Sequence, residues 1–115
     1  MKEMELWTAY LPVVKHSELK CGVRPVIIVS NNQSNEENSF VTVIPLTRNC
    51  ASQQKVTHAL LTNRYLDSPS RALCEQIITL DKKMLIRRIG YVDDAFERLS
   101  IRHALSKLLA VDGVA

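Results

Sequence analysis

Apolar and polar positions alternate in short blocks along most of the chain, and the period changes once, near the C-terminus. Residues 4–14, "MELWTAYLPVV", mix aromatic and apolar residues and reach Pro12, which predicts a strand with an edge or bend at its end. Residues 15–23 are polar with one glycine and read as a loop. Residues 25–30, "PVIIVS", form a short run without polar alternation, the pattern of a strand buried on both faces. Asn31 to Ser39 reads as a turn or flexible loop, and residues 40–46, "FVTVIPL", as another strand. Residues 55–62, "KVTHALLT", and 72–79, "ALCEQIIT", read as two more strands, separated by a loop containing Asp67, Ser68 and Pro69. "LDKKMLIRRIG" predicts a short helical turn stopped by Gly90.

From Asp93 onward the period is helical. Asp93 or Asp94 supplies a cap, and Ile101, Ala104, Leu105 and Leu108 form one apolar stripe. Phe96 and Leu99 lie off that stripe, so the first turn packs on something else, and Val111 to Ala115 reads as a frayed end. Five short strands followed by one amphipathic helix predict a mainly β fold. The expected form is a small, strongly bent antiparallel sheet or partly open barrel covered by a C-terminal helix. No helical pattern alternates with the strands, which argues against a doubly wound α/β fold. At 115 residues, the expectation is a single domain over residues 1–115.

Charge and cysteine usage narrow the chemistry. A formal net charge of +3 permits a polyanionic partner without demanding one. Cys21, Cys50 and Cys74 are widely spaced and lack zinc-ligand spacing, which points to reduced thiols and a cytoplasmic protein. Met1-Lys2-Glu3-Met4 leads into no signal-type apolar region, and no apolar run is long enough to span a bilayer. Phosphate-binding loop, dinucleotide and His-Glu-x-x-His patterns are missing, so neither a cofactor nor a metal is expected.

What remains is polar groups where strands end. Arg24 opens one strand, Thr47 and Arg48 close another, His16, Ser17 and Glu18 occupy the loop before Arg24, and Glu75 and Gln76 interrupt an apolar run. Each also has a structural explanation: Arg24 capping loop carbonyls or pairing with Glu75, Thr47 as a turn hydroxyl, His16 as a solvated loop residue, and Cys74 as packing.

Taken together, the motifs resemble the MazF/PemK family, the endoribonuclease halves of bacterial toxin–antitoxin modules. "CGVRPVIIVSNN" resembles the family's Gly-x-Arg-Pro-Val-h-h-Val-x-Asn, where h is apolar. "VIPLT" at 43–47 resembles its Pro-Leu/Ile-Thr, and "EQIITLDKKML" at 75–85 its Glu-Gln-Ile-Arg-Thr-Ile-Asp-Lys-x-Arg-Leu. Trp7, "KVTH" at 55–58 and the closing helix fit in order. The resemblance implies a small SH3-like twisted antiparallel barrel of the CcdB/MazF type. It further implies a homodimer, metal-independent cleavage of single-stranded RNA, and a cognate antitoxin occupying the RNA groove. The family's catalytic arginine falls on Arg24, its threonine on Thr47, and its loop residue on Ser17 or His16.

Several positions depart from the pattern. Met4 and Cys21 stand where glycine is usual, and Ile78 where arginine is usual. One branch of the family carries Arg-x-Asp on its last strand; here the positions hold Leu73 and Glu75, with Arg71 displaced by two residues.

The implied chemistry is attack of a ribose 2′-OH on the adjacent phosphorus, giving a 2′,3′-cyclic phosphate. Arg24 suits the phosphate, because a guanidinium grips two oxygens and Pro25 restrains its backbone. His16 and Glu75 are the candidate bases, His16 being preferred because it shares the loop leading to Arg24. Gln33, Asn35, Gln53 and Gln54 in two polar loops, with Arg48 and Gln76 at strand ends, are the candidate RNA contacts. The alternatives are a non-catalytic CcdB-like gyrase binder or a decayed RNA-binding relative on the same fold.

Overall fold

A computed structural model describes residues 1–111. Of the segment read as a frayed end, residues 112–115 lie outside the described residues. The strands are β1 (Glu5–Leu11), β2 (Gly22–Ile28), β3 (Phe40–Thr47), β4 (His58–Leu61), β5 (Ser70–Leu73), β6 (Ile78–Asp81) and β7 (Leu85–Tyr91). Two helices join them, α1 (Asn32–Glu37) and α2 (Ala95–Leu109).

All pairings are antiparallel, in the order β4-β5-β3-β2-β1-β7, with β6 also on β3. One edge of β3 is shared: its first half, Phe40 to Val43, pairs with β6, and its end, Leu46 and Thr47, pairs with β5. The chain must therefore break between β5 and β6, and it does so in a 3₁₀ turn at Cys74–Gln76. The single strand expected over 72–79 is two strands with this turn between them.

Two cores explain the apolar run in β2. Ile27 belongs to a cluster with Leu6, Ile44, Leu46, Ile101 and Ala104, whereas Val26 and Ile28 belong to one with Ala9, Leu11, Val41, Val43, Leu80 and Leu85. Successive strand residues point to opposite faces, so a strand between two cores needs apolar residues at every position. The second cluster receives Leu80 from β6 and Leu85 from β7, the two ends of the β6-β3-β2-β1-β7 path. The sheet therefore curls around this cluster as a partly open barrel, in agreement with the expected architecture. Full burial of such side chains stabilises by roughly 1.5–3 kcal/mol each.

Helix α2 closes the other core with Ile101 and Ala104, and Leu105 packs partly buried beside them. Asp94 caps it, accepting from the backbone N–H of Phe96 at 2.7 Å and of Glu97 at 3.1 Å. Glu97 Oε2 accepts from the Thr62 N–H at 2.8 Å, tying α2 to the end of β4. Phe96 and Leu99 are exposed on this chain. Among the described residues no helix is long and apolar enough to cross a membrane.

Two segments differ from the sequence expectation. Residues 31–39 contain α1, a single polar turn and a half whose cap, Asn31, accepts from Ser34 N–H. The stretch expected to be a helical turn stopped by Gly90 is a 3₁₀ turn at Lys82–Met84 followed by β7, which makes seven described strands rather than five. Gly90 has a packing reason instead: a Cβ there would lie 2.2 Å from the Tyr65 ring.

Candidate active site

Arg24 is the third residue of β2 and lies opposite Ala9 of β1. Strand alternation puts it on the face of Val26 and Ile28, at the end of the second core. Its Nε donates to the Cys21 carbonyl at 3.1 Å, and no carboxylate pairs with it among the described residues. Of the two structural explanations for Arg24, carbonyl capping is present and the Glu75 ion pair is not. The capping bond uses Nε, and the terminal nitrogens have no hydrogen-bond partner among the described residues.

Thr47 is the last residue of β3. The β2–β3 ladder ends at the pair Val26 and Pro45, and Arg24 and Thr47 each lie two residues beyond it, at adjoining strand ends. Thr47 Oγ1 accepts from the Asn49 N–H at 3.2 Å, so the hydroxyl keeps its own hydrogen for donation.

Glu75 and Gln76 stand in the 3₁₀ turn, which explains a glutamate in an otherwise apolar stretch: the turn lifts it out of the sheet. Glu75 Oε2 lies 2.7 Å from His58 Nε2, while Oε1 is buried with no hydrogen-bond partner. Gln76 and Pro45 line one recess, and Pro45 is two residues from Thr47. Gln76 Oε1 accepts from the Lys20 N–H at 2.8 Å and so fastens the preceding loop to the site. That loop brings Lys15, His16, Ser17 and Glu18 to a groove completed by Lys55, Glu75 and Gln76. His16 is exposed and sits at a left-handed φ of 59°, and Ser17 Oγ accepts from the Leu19 N–H at 3.1 Å.

Cys74 precedes Glu75 and is fully buried. Burial, helped by the neighbouring Glu75 charge, pushes its thiol up to about 12. It stays a protonated packing group beside the site rather than a nucleophile.

The other expected RNA contacts scatter. Gln33 and Asn35 are on α1, past the far end of β2, roughly 13 Å of strand away from Arg24. Asn35 is buried, its amide Nδ2 donates to the Ser30 carbonyl at 2.9 Å and its Oδ1 accepts from the Ser30 hydroxyl, so it is a structural residue. Gln33 donates to Glu37 on its own helix. Gln53 and Gln54 are exposed in the loop after β3, and Arg48 faces a separate recess with Thr8, Pro25, Ser70 and Arg87.

The sequence pattern does not single out His58 and assigns Arg71 no part in the site. Arg71 is buried, and its terminal nitrogens donate to the carbonyls of Cys50 and Ser52 and to the Ser52 hydroxyl. Rather than standing in for a displaced catalytic arginine, it holds the loop that carries Gln53 and Gln54. The histidine in "KVTH" was a local signal, but its partner is 17 residues away.

Comparison with known proteins adds to this geometry. A family model described as PemK-like, MazF-like toxin of type II toxin–antitoxin system matches residues 2–109. Endoribonuclease MazF of Staphylococcus saprophyticus is 34% identical over 96 residues, covering 82% of this chain and 79% of the relative. Among solved structures, a mycobacterial endoribonuclease in complex with its cognate antitoxin superposes with a TM-score of 0.76 at 21% identity, covering 96% of each chain. Mycobacterium tuberculosis toxin MazF-mt6 gives 0.75 at 24% identity, over 94% of this chain and 98% of that one. MazF of Deinococcus radiodurans gives 0.76 at 18% identity, over 96% of each chain. At these identities the structural matches speak for the fold alone.

Proposed function

This chain belongs to the PemK-like, MazF-like toxins of type II toxin–antitoxin systems, and from that premise we propose that it is an endoribonuclease cutting single-stranded RNA around Arg24 and Thr47. The observation that supports the site is the end of the β2–β3 ladder at Val26 and Pro45, two residues from a guanidinium free of carboxylates on one strand and from a hydroxyl with a hydrogen to donate on the other. One phosphate placed between them is held by charge and by directed donors.

RNA carries its own nucleophile. The 2′-oxygen attacks phosphorus, the bond from phosphorus to the 5′-oxygen breaks, and the products are a 2′,3′-cyclic phosphate and a 5′-hydroxyl. Arg24 and Thr47 stabilise the charge that builds on the non-bridging oxygens. A base must accept the 2′-OH proton. We take Glu75 for this rather than His16, the residue preferred from sequence. Its carboxylate is oriented by His58, whereas His16 is on an exposed loop. His16 lines the same groove and is the candidate for returning a proton to the 5′-oxygen. None of these steps calls on a metal.

The protein works as a homodimer in the cytoplasm, and a cognate antitoxin silences it by covering the RNA groove. The mycobacterial neighbour solved in complex with its cognate antitoxin is the ground for the antitoxin part of this proposal. Purified protein incubated with a long, sequence-diverse single-stranded RNA in EDTA should release fragments bearing 5′-hydroxyls. Arg24→Ala should cut on the order of 10²–10³-fold more slowly. Failure of the wild type to cut would end the nuclease reading, and equal cutting by Arg24→Ala would end the site assignment.

A further inference from the structure

His58 stands behind Glu75 and is almost entirely enclosed: its side chain is 6% exposed against 29% for Glu75. Both ring nitrogens are engaged. The backbone N–H of Lys55 donates to Nδ1 at 3.2 Å, and the His58 N–H donates back to the Lys55 carbonyl at 3.0 Å. A nitrogen that accepts a backbone N–H carries no proton of its own, so the neutral ring's hydrogen is on Nε2. That hydrogen points to Glu75 Oε2 at 2.7 Å.

The tautomer is therefore set by the Lys55–His58 turn, and the tautomer sets Glu75. The register supports the same alignment, because His58 pairs with Leu73 and the chain then enters the turn bearing Glu75. The Cys74 N–H donates to the Thr57 carbonyl at 3.1 Å, fixing that turn on β4 from the backbone as well. One carboxylate oxygen is thus committed to the ring. The other, Oε1, is buried without a donor. An unsatisfied buried carboxylate oxygen is costly and calls for a reason.

We infer that His58 is the positioning residue for Glu75: by donating Nε2–H to Oε2 it fixes the orientation of the carboxylate that is to take the 2′-OH proton. The inference rests on the RNA-cleaving reading of Arg24 and Glu75 given above.

The test compares His58→Leu, His58→Gln, Glu75→Gln, the His58→Leu/Glu75→Gln double variant and Arg24→Ala, on a fluorogenic single-stranded RNA under single-turnover and steady-state conditions. His58→Leu should lower kcat on the order of tenfold to a hundredfold with KM little changed. His58→Gln, whose amide nitrogen can replace the Nε2–H donor, should recover most of that loss. In the Glu75→Gln background, His58→Leu should cost no more than Glu75→Gln alone, because a residue acting through Glu75 has nothing left to act on. Nitrogen-15 NMR of the wild type should show the His58 ring as the Nε2–H tautomer.

If Arg24→Ala and Glu75→Gln lose activity while His58→Leu keeps the wild-type kcat, the positioning role is overturned and the nuclease site stands. The positioning role is likewise overturned if the His58→Leu loss adds in full to that of Glu75→Gln, or if the ring is the Nδ1–H tautomer. If Glu75→Gln cuts as fast as the wild type, the site reading falls and the positioning role falls with it.

Discussion

The backbone N–H of Lys20 donates to Gln76 Oε1 at 2.8 Å, a contact between residues 56 apart in sequence. It joins the exposed loop of His16, Ser17 and Glu18 to the turn that carries Glu75. Such a part-buried hydrogen bond contributes about 0.5–1.5 kcal/mol. Gln76→Ala should therefore leave the fold intact and loosen the loop. The expected outcome is faster hydrogen exchange at the Lys20 amide and a several-fold higher KM for RNA. Unchanged exchange at Lys20 would show that the loop is held by something else.

Much of this arrangement is legible in the sequence, and the misses have physical causes. "PVIIVS" announces a strand between two cores because Val26, Ile27 and Ile28 are apolar without alternation, and all three are buried. Asp94 and the Ile101–Ala104 stripe announce α2 for equally local reasons. Strand β7 is hidden because Ile86, Arg87 and Arg88 are all exposed and the strand meets β1 across two register shifts, which blurs the two-residue period. The break at Cys74–Gln76 is hidden because its cause is non-local: β3 offers its edge to two different strands. Arg24 and Thr47 could be singled out as charges and hydroxyls at strand ends. His58 could not, because its role depends on a glutamate brought to it only by the β4–β5 pairing.

Glu5 couples the first strand to pH. Partial burial pushes its carboxyl up, but hydrogen bonds from Trp7 Nε1 at 2.9 Å and the Lys2 N–H at 3.0 Å, with the N-terminal and Arg88 charges, outweigh this and hold it below the usual range. The folded chain thus gives up this proton more readily than the unfolded one. The resulting stability is present above the ordinary glutamate range and is lost as pH falls through the lowered folded value. Glu5→Gln should flatten the acid limb of stability below the ordinary glutamate value of about 4.3. Trp7 fluorescence should report the wild-type transition directly. An acid limb of identical slope in both proteins would exclude Glu5 as its source.

The thiols should separate cleanly by reactivity. Cys21 is exposed, Cys50 is partly buried, and Cys74 is buried with its thiol pushed up to about 12 by burial and then by the Glu75 charge. At pH 8, iodoacetamide followed by peptide mass spectrometry should label Cys21 first and Cys74 only after unfolding. The same shift predicts an alkaline limb. Below about pH 8.5 folded and unfolded chains both keep this proton. Above it the unfolded thiol ionises while the folded one does not, so stability falls as pH rises toward 12. Cys74→Ala or Cys74→Ser should reduce that limb. Labelling of Cys74 at the rate of Cys21 in the folded protein would contradict the burial.

Arg71 sets two opposing effects against each other. Its Nη2 donates to the Ser52 carbonyl at 2.8 Å and the Cys50 carbonyl at 3.0 Å, its Nη1 lies 3.3 Å from the Ser52 hydroxyl, and its Nε is buried without a partner. Hydrogen bonds to a charged group are worth about 1.5–3 kcal/mol each, which favours a large loss on removal. Against this, the charge has no ion-pair partner among the described residues, and replacing it with an apolar side chain relieves a desolvation cost. The freed carbonyls belong to a loop open to water and are re-solvated, so the loss cannot reach its full value. Arg71→Leu should cost only about 1–2 kcal/mol in urea unfolding. The larger effect should be local. Arg71 pairs with Thr47 across the β3–β5 ladder, so the loop it ties leaves β3 directly beside the candidate phosphate site. Hydrogen exchange across residues 49–54 should accelerate, and KM for RNA should rise by more than kcat falls. Arg71→Lys, which keeps the charge but not the fork, should fall between the two. Exchange in that loop unchanged by Arg71→Leu would mean that these hydrogen bonds do not hold it.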